Sequence, residues 1–290
     1  MRNSPLGYAV VAGAVLAALA FRLAALDLRP MHHDEANQAF KCGELLEKGT
    51  YVYDPADHHG PSLYYLTLPG ARLAAGRSFV NTTESTYRMV PALFGVLLVA
   101  LILLLRDELG PRAAAVSMLL AAVSPAMVYY SRFYIQEMLL ACFTVGMIVS
   151  GWRYFRRKNA GWAVLTGLFA GMMFVTKETS VVAYIAVVLG LAMCLLWNRL
   201  VKAGPTAGQT GRFSAWHLAA GLAVAAVVWA AFYSSFFTHS EGLKDSVRTF
   251  GIYLGRADET LHRRGWFYYF SILGWRRESG APVWPNTPTR

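Results

Sequence analysis

The strongest constraint on this chain is a series of apolar runs too long and too free of charge for the interior of a soluble domain. Seven such windows follow one another at approximately 8–26 (interrupted by Arg22), 88–105, 111–130, 134–152, 160–176, 179–198 and 214–237. At about 1.5 Å per helical residue, each can cross about 30 Å of hydrocarbon, given tilt and interfacial ends. A bilayer core offers no water to backbone groups, and runs without strand-period alternation satisfy them as helices. The expected fold class is therefore all-α, a multi-pass transmembrane bundle of about seven spans. Composition agrees, because 15% of the 290 residues are charged against about 25% in soluble domains.

The net charge of +10 does not point to nucleic acid, since the basic residues form neither an aromatic-interleaved stripe nor a basic helix. They gather between apolar runs: Arg106 with Arg112, then Arg153, Arg156, Arg157 and Lys158, then Arg199, Lys202 and Arg212. Cytoplasmic loops of membrane proteins collect such charge and contact anionic membrane lipid. With these loops inside, residues 27–87, the turns near 131–137 and 177–178, and the tail from 238 fall on the outer face of the plasma membrane. The chain divides into a first span (1–26), an outer loop with an acidic motif (27–87), a six-span region (88–237) and a second outer loop (238–290), read as the start of a missing C-terminal part. Ala18-Leu19-Ala20 after Arg2 also fits a signal-peptide cleavage site, but the apolar run continues to Leu26, long enough to stay in the membrane. Cys42, Cys142 and Cys194 are too few and too scattered for a disulfide framework or zinc cluster. Within the first outer loop, 34–48 and 62–76 carry apolar positions at helical spacing and read as amphipathic helices on the membrane surface.

Charges that survive beside hydrocarbon are costly and tend to be paired or functional. Here they form three sets, Asp34-Glu35, Arg132 with Glu137, and Lys177-Glu178, all assigned to one outer face. Each also has a plain structural reading: a capping pair at a helix start, an interfacial ion pair, and a lysine snorkelling from a span end. The surroundings favour a shared site. They read Met31-His32-His33-Asp34-Glu35-Ala36, His58-His59-Gly60-Pro61-Ser62-Leu63-Tyr64-Tyr65, Ser131-Arg132-Phe133-Tyr134-Ile135-Gln136-Glu137 and Thr176-Lys177-Glu178-Thr179.

These four segments, in this order, resemble the GT-C glycosyltransferases. More narrowly they resemble the protein O-mannosyltransferase and aminoarabinose transferase branch, and a mannosyltransferase-like family described as flippase-activity-associated. The resemblance covers essentially the whole chain. It implies transfer of a sugar from a polyprenyl-phosphate carrier to an acceptor glycan, lipid or protein on the outer face, with inversion at the anomeric carbon. Asp34 matches the position of the base. Glu35 is expected to orient it or the acceptor, and Glu137 to be a second carboxylate of the site or the partner of Arg132. Arg132 and Lys177 are the expected lipid-phosphate ligands, with His58, His59, Glu178 and Tyr64 as further substrate-pocket candidates. The aminoarabinose branch has an arginine three residues after its Asp where this chain has Asn37, and such enzymes usually have eleven or more spans.

Imidazoles beside carboxylates would suit zinc or manganese, with His32 and His33 as the candidates, but adjacent histidines are poorly spaced for chelation. No cofactor is assigned, and a divalent metal stays open as an alternative to sugar hydrogen bonding. A second functional reading, a non-enzymatic transporter or flippase-associated component, would show internal repeats and helices broken near the midplane. The sequence has no obvious repeat and its charges cluster at one interface.

Overall fold

The computed structural model describes residues 5–56, 59–201, 213–257, 267, 277–278 and 281–282. Helices dominate it; a two-residue antiparallel pairing joins Arg277–Glu278 to Ala281–Pro282. In chain order they are α1 (Pro5–Leu23), α2 (His33–Lys48), α3 (Ser62–Ala75), α4 (Glu84–Ile102), α5 (Arg106–Leu109), α6 (Pro111–Val123), α7 (Pro125–Ser131), α8 (Glu137–Arg157), α9 (Ala160–Phe174), α10 (Ser180–Leu200), α11 (Ala215–Tyr233) and α12 (Glu241–Ala257).

All seven apolar runs form helices, but not seven equal spans. Glu84–Leu109, Glu137–Arg157, Ser180–Leu200 and Ala215–Tyr233 are each long and apolar enough to cross a membrane, making this a multi-pass membrane protein. Gly7–Leu23 and Ala160–Phe174 are shorter apolar helices. The run at 111–130 is broken, with α6 and α7 meeting at 58°. Pro125 at the start of α7 has no N–H to give the carbonyl four residues back. Arg22 closes that gap: buried in α1, it donates to Ala121 O at 2.9 Å, Ala122 O at 2.8 Å and Ser131 Oγ at 3.1 Å. The charge that interrupts the first run is therefore a brace for the bend.

Helices α9 and α11 meet backbone to backbone. A methyl group on Gly167 would lie 2.0 Å from Gly221 O, and one on Gly171 would lie 2.9 Å from Val228 Cβ. Small residues four apart let membrane helices approach this closely.

The two helices of the first outer loop begin within one residue of their expected starts. Both are amphipathic, with one face packed on the bundle. The buried face of α2 includes Glu35, Gln38, Ala39, Cys42 and Leu45, whereas Ala36 and Phe40 are exposed. Helix α3 contributes Leu63, Tyr64 and Thr67 to the main core, beside Tyr87, Tyr134, Leu139 and Met173. Helix α12 packs on α11 through Gly242, where a Cβ would lie 2.0 Å from Tyr233 O.

Candidate active site

The start of α2 is built on a capping box. His32 is the N-cap, its Nδ1 accepting the Asp34 N–H at 3.2 Å, and Glu35 Oε2 accepts the His32 N–H at 3.1 Å. Glu35 is also buried against Arg88 of α4, which donates from Nε and Nη2 at 2.7 Å each, and Oε1 accepts the Tyr134 N–H at 2.9 Å. The remaining donors of Arg88 hold Leu26 O, Arg29 O and Pro30 O, so one ion pair fixes the whole α1–α2 connection. Burial alone would raise the Glu35 pKa. The hydrogen bond from Arg88, those from the Tyr134 and His32 amides, and the Arg88 charge together outweigh it and hold the carboxyl below its ordinary value.

Neighbouring residues of a helix point about 100° apart, and this separates the two acids. The Asp34 side chain is 62% exposed, with Oδ2 3.4 Å from His32 Nδ1. Glu35, expected beside it as an orienting group, instead faces inward with both oxygens engaged by donors. It positions the segment that carries Asp34.

The turn from Arg132 to Glu137 also departs from expectation. Arg132 does not pair with Glu137. Its guanidinium caps the C-terminus of α1, donating to Phe21 O at 3.1 Å, Ala24 O at 2.6 Å and Ala25 O at 2.9 Å, which fits the negative end of a helix. These contacts engage Nη1 and Nη2 of the guanidinium. Glu137, at the start of α8, pairs with Lys177 at 2.5 Å, and its second oxygen is buried with no partner among the described residues.

Lys177-Glu178 lies in the turn between α9 and α10, and the start of α3 docks on that turn. A Cβ at Gly60 would lie 2.3 Å from Val175 O, the Ser62 N–H donates to the same oxygen at 3.0 Å, and Ser62 Oγ lies 2.8 Å from Thr176 Oγ1. Close approach of backbone to backbone therefore requires glycine at position 60. This brings His59 Nδ1 within 2.9 Å of the buried Glu178 Oε2, while Glu178 Oε1 accepts from Tyr53 Oη at 3.2 Å. Tyr53 in turn meets Thr249 of α12 at 2.8 Å. His58 lies outside the described residues, as does most of the tail from 258.

Tyr64 is fully buried in the main core. It donates to Gln38 Oε1, which also accepts from Gln136 Nε2 at 2.9 Å, and Tyr134 Oη donates to Thr67 Oγ1 at 2.9 Å. All four sequence segments are thus joined at one end of the bundle: the first to the third through Glu35 and Gln38, the second to the fourth through Gly60 and His59, the third to the fourth through Glu137. Among the described residues no three His, Cys, Asp or Glu side chains converge as a metal site requires, and His32 is already used as a helix cap.

The residues that sequence reasoning missed are Arg88, Gln38, Gln136, Tyr53 and Thr249. Arg88 had a signal. It sits at the edge of an apolar window, where a charge needs a partner, and Glu35 was an acid with no cation named beside it.

Several solved structures share this arrangement of helices. ArnT from Cupriavidus metallidurans in the apo state superposes with a TM-score of 0.65 at 23% identity, over 91% of this chain and 47% of that one. The same protein bound to undecaprenyl phosphate gives 0.59 at 21% identity, over 93% and 48%. The Saccharomyces cerevisiae protein O-mannosyltransferase Pmt1-Pmt2 complex bound to the sugar donor gives 0.60 at 21% identity, over 83% and 34%. No curated protein sequence matches the chain. The fold is that of the GT-C membrane glycosyltransferases, of which this chain spans about a third to a half of the matched lengths. More narrowly, it belongs to the dolichyl-phosphate-mannose-protein mannosyltransferase family, whose sequence profile matches residues 64–243. Asp34 and Glu35 lie ahead of that match.

Proposed function

We propose that the protein is a glycosyltransferase that moves a sugar from a polyprenyl-phosphate carrier to an acceptor hydroxyl outside the cytoplasm, at the plasma membrane. The observation that carries this reading is an exposed carboxylate, Asp34, on a helix start made rigid by the buried Glu35–Arg88 pair, at the same end of the bundle as the Lys177–Glu137 pair. Asp34 takes the proton of the acceptor hydroxyl as its oxygen attacks the anomeric carbon. The bond from that carbon to the phosphate oxygen breaks, and the lipid phosphate leaves with the electron pair. Attack opposite the leaving group inverts the anomeric centre.

Lys177 faces the growing negative charge, and Glu137 holds its ammonium in place. His59, set by Glu178, presents its other ring nitrogen to the sugar or phosphate. Clusters of Arg153, Arg156, Arg157 and Lys158 at a helix end away from this site support a cytoplasmic assignment for that end. The relatives named above bind undecaprenyl phosphate or a sugar donor, which supports a carrier of that kind; the acceptor is a glycan, lipid or protein.

The test supplies membranes containing the protein with labelled polyprenyl-phosphate sugar and acceptor extract. Transfer is expected, lost in Asp34→Asn and reduced on the order of a hundredfold or more in Lys177→Met. Transfer by Asp34→Asn at the unsubstituted rate would remove Asp34 as the base.

A further inference from the structure

We propose that the opposite, basic end of the bundle binds the phosphodiester headgroup of an anionic membrane lipid in a cage formed by Tyr154, Phe155, Lys158, Phe213 and His217. Lys158 ends α8 in the left-handed region, with φ 49°, held there by its N–H donating to Tyr154 O at 2.8 Å. Its ammonium lies over three rings, 3.6 Å from the centroid of Phe213, 4.5 Å from Phe155 and 5.9 Å from Tyr154. The Tyr154 and His217 rings are 5.8 Å apart.

Two neighbouring cations are paired. Arg153 meets Asp107 at 3.1 Å and Arg156 meets Glu108 at 3.2 Å. Lys158 differs: its Nζ, the Tyr154 Oη and the His217 Nδ1 are all buried without a hydrogen-bond partner among the described residues. Ring faces attract an ammonium, but they accept none of its three N–H bonds in the ordinary sense. A buried donor left unmet is costly. Three such groups close together, each able to donate when His217 carries its proton on Nδ1, are complemented by an anion with several oxygens. The first turn of α11 adds to this, because Ser214 makes no side-chain cap there and free amides favour negative charge.

The walls select the source of the anion. Phe213, 64% exposed, covers the ammonium from outside, so moving one ring opens the cage. Trp197 and Trp216 are exposed beside the same span ends, the level at which aromatic side chains meet headgroups. An anion carried on acyl chains fits this setting better than a free ion.

The test is native mass spectrometry of the full chain in detergent, titrated with phosphatidylglycerol or phosphatidylcholine, a readout that does not depend on sugar transfer. One retained phosphatidylglycerol is expected, with apparent affinity falling about tenfold in Lys158→Gln, less in Tyr154→Phe, and little in the neighbouring Arg157→Gln. Tyr154→Phe removes only a hydroxyl and serves if Lys158→Gln does not fold. Equal retention of phosphatidylcholine, or retention unchanged in both cage variants, would overturn the site. Displacement of the bound lipid by inorganic phosphate would overturn the lipid assignment in favour of a free anion.

Discussion

Removing the acid from the Glu35–Arg88 pair should unfold the protein more readily than any other single change at this end. Glu35 accepts from Arg88 Nε and Nη2 at 2.7 Å, from Tyr134 N at 2.9 Å and from His32 N at 3.1 Å, with both side chains almost fully buried. Glu35→Ala deletes the acceptor for four donors and leaves a guanidinium buried among carbonyls. Breaking a buried pair from one side costs about 3–5 kcal/mol, a large part of the roughly 5–15 kcal/mol that separates folded from unfolded proteins. At about 2–4 °C per kcal/mol for a chain of this size, the thermal midpoint should fall on the order of 10 °C. The assay is loss of helical circular dichroism on heating in detergent, for Glu35→Ala, Arg88→Met and the double variant. In the double variant no charge is left unpaired, so its destabilisation should fall short of the sum of the singles by more than about 1 kcal/mol. A single variant that costs less than about 1 kcal/mol, or a double that is additive, would refute the pair's role. The pH dependence follows with a definite sign. The folded-state pKa of Glu35 lies below its ordinary value of 4.5, so the pair's stabilisation is full above that value and is lost as pH falls through the lower folded value. Glu35→Ala should therefore flatten the acid limb of the stability curve.

Three further outcomes can be checked together. Gly60→Ala places a methyl 2.3 Å from Val175 O and should cost about 1–3 kcal/mol; it should also lower transfer through His59 and Lys177, and an unchanged midpoint would contradict the contact. Arg132→Ala should act through the C-terminus of α1, lowering the thermal midpoint by an amount equivalent to about 1–2 kcal/mol while the KM for carrier stays within about twofold. A large KM increase with normal stability would return Arg132 to the phosphate site. Arg22→Leu leaves the Ala121 and Ala122 carbonyls unmet at the α6–α7 bend and should cost about 1–3 kcal/mol, measured by the same melting assay.

Much of this architecture is legible in the sequence because bilayer physics leaves few alternatives. Pro61 and the acidic pair Asp34-Glu35 mark the starts of α3 and α2 to within a residue, since prolines and first-turn acids act locally. The shared end of the four segments follows from counting spans. What the sequence conceals are partners forty or more residues apart. Nothing periodic links Glu35 to Arg88, Arg132 to Ala24 and Ala25, or Lys177 to Glu137. Each pairing was decided by which face of a packed helix met which neighbour, and so Arg132 and Glu137, one reading of which was a mutual pair, make two separate contacts. The break at Pro125 was visible as a residue, but its brace by Arg22 was not.

The central claim is a division of labour between adjacent carboxylates, and one paired measurement tests it most directly. Transfer rate and thermal midpoint are determined side by side for Asp34→Asn and Glu35→Gln. The structure predicts that Asp34→Asn abolishes transfer with its midpoint within about 2 °C of the unsubstituted protein, as expected for an exposed side chain, whereas Glu35→Gln lowers the midpoint by several degrees. A Glu35→Gln protein that melts normally yet cannot transfer, or an Asp34→Asn protein that transfers normally, would contradict the account.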